Sequence, residues 1–200
     1  MILVQASRAA PVPWKNGGGV TRELLRLPAG GADDDWTLRI SVADIAADGP
    51  FSPFPGVTRW FAVLEGAGVR LSFPERTLNV QRGDAPLRFD GADGPGCTLL
   101  DGPTRDLNVM VRHARAASLV TAASFLDEAE PGTSPGFGFF ALQPLALHGA
   151  GALPVQIPAL SLAWCESPFD ASHAWSVQPL DATQEHALPG YWIRLLPHAR

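Results

Sequence analysis

The stretch Trp36-Thr37-Leu38-Arg39-Ile40-Ser41-Val42-Ala43 alternates without a break: Trp36, Leu38, Ile40 and Val42 are apolar, and Thr37, Arg39 and Ser41 between them are polar. A period of two is that of a β-strand, so the segment is predicted to lay one face on a core and turn a polar face to solvent or to a ligand. The stretch from Asp106 to Arg112 repeats the pattern, with Leu107, Val109 and Val111 on one side and Asp106, Asn108, Met110 and Arg112 on the other. A Met between Asn and Arg suits a semi-apolar wall, because a thioether adapts to what it touches. An edge strand facing solvent is the competing reading.

Strand candidates of this length recur about every 8 to 12 residues, the rhythm of a sandwich or barrel. They run over Ile2–Gln5, Val20–Leu27, Trp36–Ala43, Arg59–Glu65, Val69–Phe73, Thr77–Gln81, Leu87–Asp90, Gly96–Asp101 and Leu107–Arg112. After Ala116 the pattern restarts with Leu119–Leu126, Phe137–Leu142, Gly151–Ile157, Leu160–Glu166, Trp175–Leu180 and Trp192–Leu196, interrupted by an acidic, Gly/Pro-rich patch at Asp127–Gly136. The turns are chemically explicit, as in Ala47-Asp48-Gly49-Pro50, Glu65-Gly66-Ala67-Gly68 and Arg82-Gly83-Asp84, whose residues favour turns or positive φ. Twenty Gly and nineteen Pro without a collagen period fit the same picture of short strands and few helices.

With 200 residues, 46% of them hydrophobic and 18% charged, the chain has the apolar content to bury a substantial core. The net charge of −5 and the absence of any basic run exclude nucleic acid as a partner. No window approaches the roughly 18 apolar residues of a membrane helix, and the first residues lack the basic start of a signal peptide, so a soluble cytoplasmic protein is expected. Cys97 and Cys165 are isolated and read as buried thiols, not as a redox pair.

Several constellations bear on chemistry. Trp14-Lys15-Asn16-Gly17-Gly18-Gly19-Val20-Thr21-Arg22-Glu23 joins three glycines to a dense set of hydrogen-bonding side chains. It reads as a turn entering a strand, or as an anion nest with Lys15 or Arg22 beside it; it lacks the spacing of a phosphate loop. Phe51-Ser52-Pro53-Phe54-Pro55-Gly56 is a proline-stiffened lip that feeds the strand bearing Arg59. If Arg59 points inward it is a buried cation that needs a carboxylate, supplied by a ligand or by Glu23, Glu65 or Asp106. The five histidines, His113, His148, His173, His186 and His198, show no metal-ligand spacing, so no metal and no cofactor is expected. Asp170, Ser172 and His173 cannot form a triad by adjacency, and no nucleophile elbow is present, so no catalytic residue is assigned.

The ordered blocks Trp14–Glu23, Trp36–Ile45, Gly49–Arg59, Leu64–Gly68 and Asp106–Arg112 resemble the HutD/Ves family. That resemblance implies an all-β bicupin, two double-stranded β-helix (jelly-roll) halves, here an N-terminal half at 1–115 with the ligand pocket and a C-terminal half at 116–200. It also implies a metal-free site, because Gly56–Gly68 sits where cupins carry their histidines and offers Thr58, Arg59 and Trp60 instead. For function it implies an accessory role in histidine utilisation, or a stress-linked one, through binding of a small polar or carboxylate ligand such as urocanate or formiminoglutamate. Arg39 and Arg59 would then pair the carboxylate. Asn16, Ser41 and Asn108 would direct it, and Trp14, Trp36 or Phe54 would wall it. Arg22, Glu23, Asp106 and Met110 complete the candidate set.

Three functions compete at this point. The first is a non-catalytic metabolite-binding regulator. The second is a metal-independent isomerase or hydrolase of a small acid with Glu23 or Glu65 as base, and the third is an interaction module presenting its aromatic loops. A homodimer is compatible with each.

Overall fold

The computed structural model describes residues 1–29, 35–113, 116–121, 136–149, 153–166, 175–181, 183 and 187–196. Its strands, in chain order, are β1 (Ile2–Gln5), β2 (Pro11–Pro13), β3 (Gly19–Leu27), β4 (Leu38–Ile45), β5 (Gly49–Pro50), β6 (Val57–Glu65), β7 (Val69–Ser72), β8 (Thr77–Val80) and β9 (Leu87–Asp90). They continue as β10 (Gly96–Leu99), β11 (Thr104–Arg112), β12 (Ala116–Thr121), β13 (Gly136–Ala141), β14 (Leu145–His148), β15 (Val155–Ile157), β16 (Ser161–Cys165), β17 (Ser176–Pro179) and β18 (Gly190–Leu196). Short 3-10 turns lie at Ala6–Arg8 and Gly91–Asp93. The all-β expectation holds, and most strands lie within a residue or two of their predicted bounds.

The chain divides into two compact units, Ala9–Ala114 and a second made of Met1–Arg8 with Arg115–Arg200. The expected boundary after residue 115 therefore needs a correction at the other end. β1 pairs antiparallel with β16, Ile2 opposite Trp164 and Gln5 opposite Ser161, which carries the first eight residues into the C-terminal unit. A long-range pairing of this kind leaves no trace in local alternation.

In the unit Ala9–Ala114, a six-stranded sheet in the order β2-β3-β4-β11-β6-β9 and a four-stranded sheet in the order β5-β10-β7-β8 form the barrel. β2, absent from the sequence reading, is Pro-Val-Pro at the edge of its sheet, where a strand can tolerate residues that donate no ladder hydrogen bond. The apolar residues of β4 and β11 behave as their alternation predicts: Leu38, Ile40, Val42, Leu107 and Val109 are 0% exposed. Trp36 departs from that parity. It precedes β4 and packs with Val57, Met110 and Phe54.

One end of this barrel is plugged by apolar side chains, among them Ile45, Phe51, Phe61, Val63, Leu71 and Phe89. The second unit has two sheets, β1-β16-β13-β18-β12 and β15-β14-β17. Its core cluster of Phe137, Phe139, Ala141, Leu145, Leu147, Ile157, Ala163, Val177 and Trp192 is wholly apolar. The Asp127–Gly136 patch up to residue 135, the Asp170-Ser172-His173 group, His186 and His198 lie outside the described residues.

Candidate functional site

The site is built by cross-strand register. Arg39 of β4 stands opposite Met110 of β11, which stands opposite Arg59 of β6; one row deeper, Glu23 of β3, Ser41, Asn108 and Phe61 are aligned. Side chains in register on one face of a sheet are neighbours. Apart from Phe61, which belongs to the apolar plug, the residues of these two rows line a cavity of about 1050 Å³. Arg39, Ser41, Arg59, Asn108 and Met110 form its floor, Val12 to Asn16 one side of the mouth, and Pro50 to Phe54 the other. Phe54 N donates to Gly91 O at 2.7 Å and Phe51 N to Pro95 O at 2.9 Å, so the proline-rich lip is fixed by backbone hydrogen bonds as well as by its rings.

β3 carries a bulge. The pairing runs Glu23 with Ser41 and then Leu25 with Ile40, so Leu24 is an extra residue. Glu23 and Arg26, three apart, consequently share the inner face. Arg26 grips Glu23 with two hydrogen bonds of 2.9 Å, Nε to Oε1 and Nη2 to Oε2, and Arg39 Nε donates to Oε2 at 2.7 Å. Burial alone would raise the Glu23 carboxyl, but the hydrogen bonds and charges of Arg26 and Arg39 outweigh it and hold the group below its ordinary range. Glu23 is thus an ionised brace for Arg39, poorly suited to act as a base. Strict alternation hides Arg26, and the sequence reading missed it.

Arg59 is 8% exposed. Its Nε and Nη2 both donate to Asn108 Oδ1, at 2.8 and 2.5 Å, and its guanidinium lies 4.3 Å from the Phe51 ring centroid and 5.5 Å from that of Phe89. Among the described residues no carboxylate comes within ion-pair distance of it. Burial pulls its pKa down to about 10, with the Asp106 charge acting in the other direction, so it remains a cation at neutral pH. The aromatic faces and the amide compensate this cation only in part.

Two candidate residues fall elsewhere. Arg22 leaves the opposite face of β3 and pairs with Asp44, which also accepts Arg105 Nε at 2.6 Å, while Arg105 Nη1 reaches Glu65 at 2.8 Å. A residue adjacent to Glu23 in a strand must face the other way. This ladder also claims Glu65, which therefore does not supply the carboxylate for Arg59. Asp106 does face inward, but it is 0% exposed and does not line the cavity, although Ala43 opposite it does; its other neighbour, Val63, belongs to the apolar plug. Alternation predicts a face and says nothing of depth.

The glycine segment is a turn. Gly18 N donates to Asn16 Oδ1 at 3.0 Å and Gly17 N to Trp14 O at 3.0 Å, which occupies the amides an anion nest would need. Gly17 has φ +72°, and a Cβ on Gly19 would lie 2.4 Å from Asp44 O. Trp14 Nε1 donates to Thr21 Oγ1 at 2.7 Å, which pins the indole at the mouth. Asn16, Glu23, Arg39, Ser41, Phe54, Arg59, Asn108 and Met110 all line the cavity. Among the described residues no group of three or more His, Cys, Asp or Glu could hold a metal ion, and no helix is long and apolar enough to cross a membrane.

Protein Ves of Citrobacter koseri is 38% identical over 111 residues, 55% of this chain and 57% of that one. An uncharacterised 21.2 kDa protein in the hutC 3' region of Pseudomonas putida is 37% identical over 108 residues, 54% of this chain and 56% of that one. The chain thus spans little more than half the length of these curated relatives. The structure of HutD from Pseudomonas fluorescens SBW25, obtained in a formate condition, is 25% identical with a TM-score of 0.80 and covers 99% of both chains. A far more distant structure, a cupin 2 conserved barrel domain protein from Leptotrichia buccalis, shares the fold at 11% identity with a TM-score of 0.54, covering 92% of this chain and 91% of that one. The HutD family model matches residues 6–176, and with most of the sequence inside that match this chain belongs to the HutD family.

Proposed function

We propose that the cavity of the N-terminal barrel binds a small carboxylate and that the protein acts as a non-catalytic accessory or regulator of histidine utilisation. The observation that carries the reading is Arg59, a buried cation in the cavity floor that is hydrogen-bonded to an amide instead of a carboxylate. A ligand carboxylate would supply the missing charge, with Asn108 and Ser41 orienting it and Arg39, braced by Glu23, as the second cation. The gene-region name of the P. putida relative supports the pathway, and the P. fluorescens HutD structure makes formate the first probe. Urocanate and formiminoglutamate are the ligands of choice within that pathway.

Thermal denaturation of the full chain against formate, urocanate and formiminoglutamate tests the proposal. A ligand at a hundred times its Kd stabilises by about 2.7 kcal/mol, so a true binder raises Tm visibly, and Arg59→Met abolishes the rise. Absence of any shift at millimolar ligand, or an equal shift in Arg59→Met, overturns the proposal.

A further inference from the structure

Asp106 sits on the inner face of β11, next in line after Asn108, and is 0% exposed. Thr104 Oγ1 donates to its Oδ2 at 2.9 Å, while Oδ1 has no hydrogen-bond partner among the described residues. An ionised carboxylate with one oxygen buried and unserved is costly to maintain. Burial pushes its pKa up to about 7, and the Thr104 hydrogen bond and the Arg59 charge offset only part of that. The charged or titratable groups that act on it are Arg59 on β6, Asp44 on β4 and Cys97 on β10. Cross-strand from it stand Ala43 and Val63, and among the described residues no histidine lines the cavity.

Arg59 therefore has two alternative counter-charges, Asp106 beneath the floor and an anion in the cavity above it. We propose that the cavity takes up its anion together with a proton: when a ligand carboxylate neutralises Arg59, Asp106 gives up its charge by accepting a proton from solvent. The inference rests on the carboxylate-binding reading of the same cavity. The balance is simple, because one anion and one proton enter, the Arg59 cation is unchanged, and the Asp106 carboxylate becomes a neutral carboxyl. Asp106 touches no ligand in this scheme and acts through Arg59. Its thermodynamic consequence is that anion affinity rises as pH falls toward the Asp106 pKa.

The test uses the full chain and formate, which stays ionised throughout the neutral range. Binding is followed by NMR titration between about pH 6 and pH 8, and calorimetry in two buffers of different ionisation enthalpy counts the protons. The expected result is an affinity that falls toward tenfold per pH unit above the Asp106 pKa, with fractional proton uptake on binding. Asp106→Asn, which keeps the shape, binds formate with neither effect. Bound formate with a flat pH profile and no proton uptake, or a slope that persists in Asp106→Asn, overturns the inference and leaves the binding site standing. Failure of wild-type protein to bind formate at any pH overturns the carboxylate reading itself. Should the variant not fold, the proton count on wild type decides alone.

Discussion

Arg59 and Asn108 are joined by two hydrogen bonds that converge on one oxygen, so a buried guanidinium is held in place by a neutral amide. That arrangement orients a cation without neutralising it, which suits a ligand site better than a structural ion pair. It also separates function from stability. Replacing a whole buried ion pair with hydrophobic side chains is often neutral or stabilising by about 1–4 kcal/mol, and among the described residues Arg59 has no ion-pair partner that its removal would strand. Arg59→Met is therefore expected to raise the Tm of the ligand-free protein while losing carboxylate binding, and differential scanning calorimetry without ligand measures it. A large fall in Tm would mean that Arg59 serves the core.

The pH dependence of stability has two opposed arms. Glu23 and Asp44 are held below their ordinary pKa by arginines, so their contribution is present above the unfolded-state values and is lost as pH falls through the lowered ones. Asp106 is raised to about 7 from 3.8, so its contribution is complete below the unfolded value and is lost as pH climbs through 7. Urea unfolding from about pH 3 to pH 9 should show a maximum in the acidic range, followed by a fall on the order of a few kcal/mol that is complete once pH has passed the raised Asp106 value and is absent from Asp106→Asn.

The ladder Arg22-Asp44-Arg105-Glu65 lies on the face of the sheet away from the cavity, and the Asp44 side chain, 28% exposed, is its centre. Asp44→Asn leaves two arginines without their shared carboxylate. A loss of about 1–2 kcal/mol is expected in denaturant unfolding, with formate affinity unchanged. An equal loss of affinity would place Arg22 back among the functional residues.

Gly19→Ala forces a methyl against the Asp44 carbonyl where β3 leaves the turn. Overpacking of this kind costs about 1–3 kcal/mol, and it should also disturb the mouth residues Trp14 and Asn16. Intrinsic fluorescence of the tryptophans during unfolding reports both.

How much of this was legible beforehand depends on what alternation encodes. It encodes the face of a strand, so the inward Arg39, Ser41, Asn108 and Met110 and the opposing Leu38, Ile40, Val42 and Val109 are found from the sequence alone. It does not encode depth, and Asp106 cannot be told from Asn108 until the apolar plug around Val63 is seen. Neither does it encode register between distant segments, which is why Met1–Arg8 changes unit and why Glu65 joins Arg105 instead of Arg59. Arg26 was hidden by one extra residue in its own strand.

That extra residue alters what a change in length would do to β3. Deleting Leu24 would leave Glu23 opposite Ser41 and Arg26 opposite Arg39, since the pairing already passes over it. Straightening the strand with Leu24 retained would turn Leu25 toward Arg39 and send Arg26 to the far side. An indel at this point is thus milder than a slip, and two related chains that differ here by one residue can carry the same charged lining.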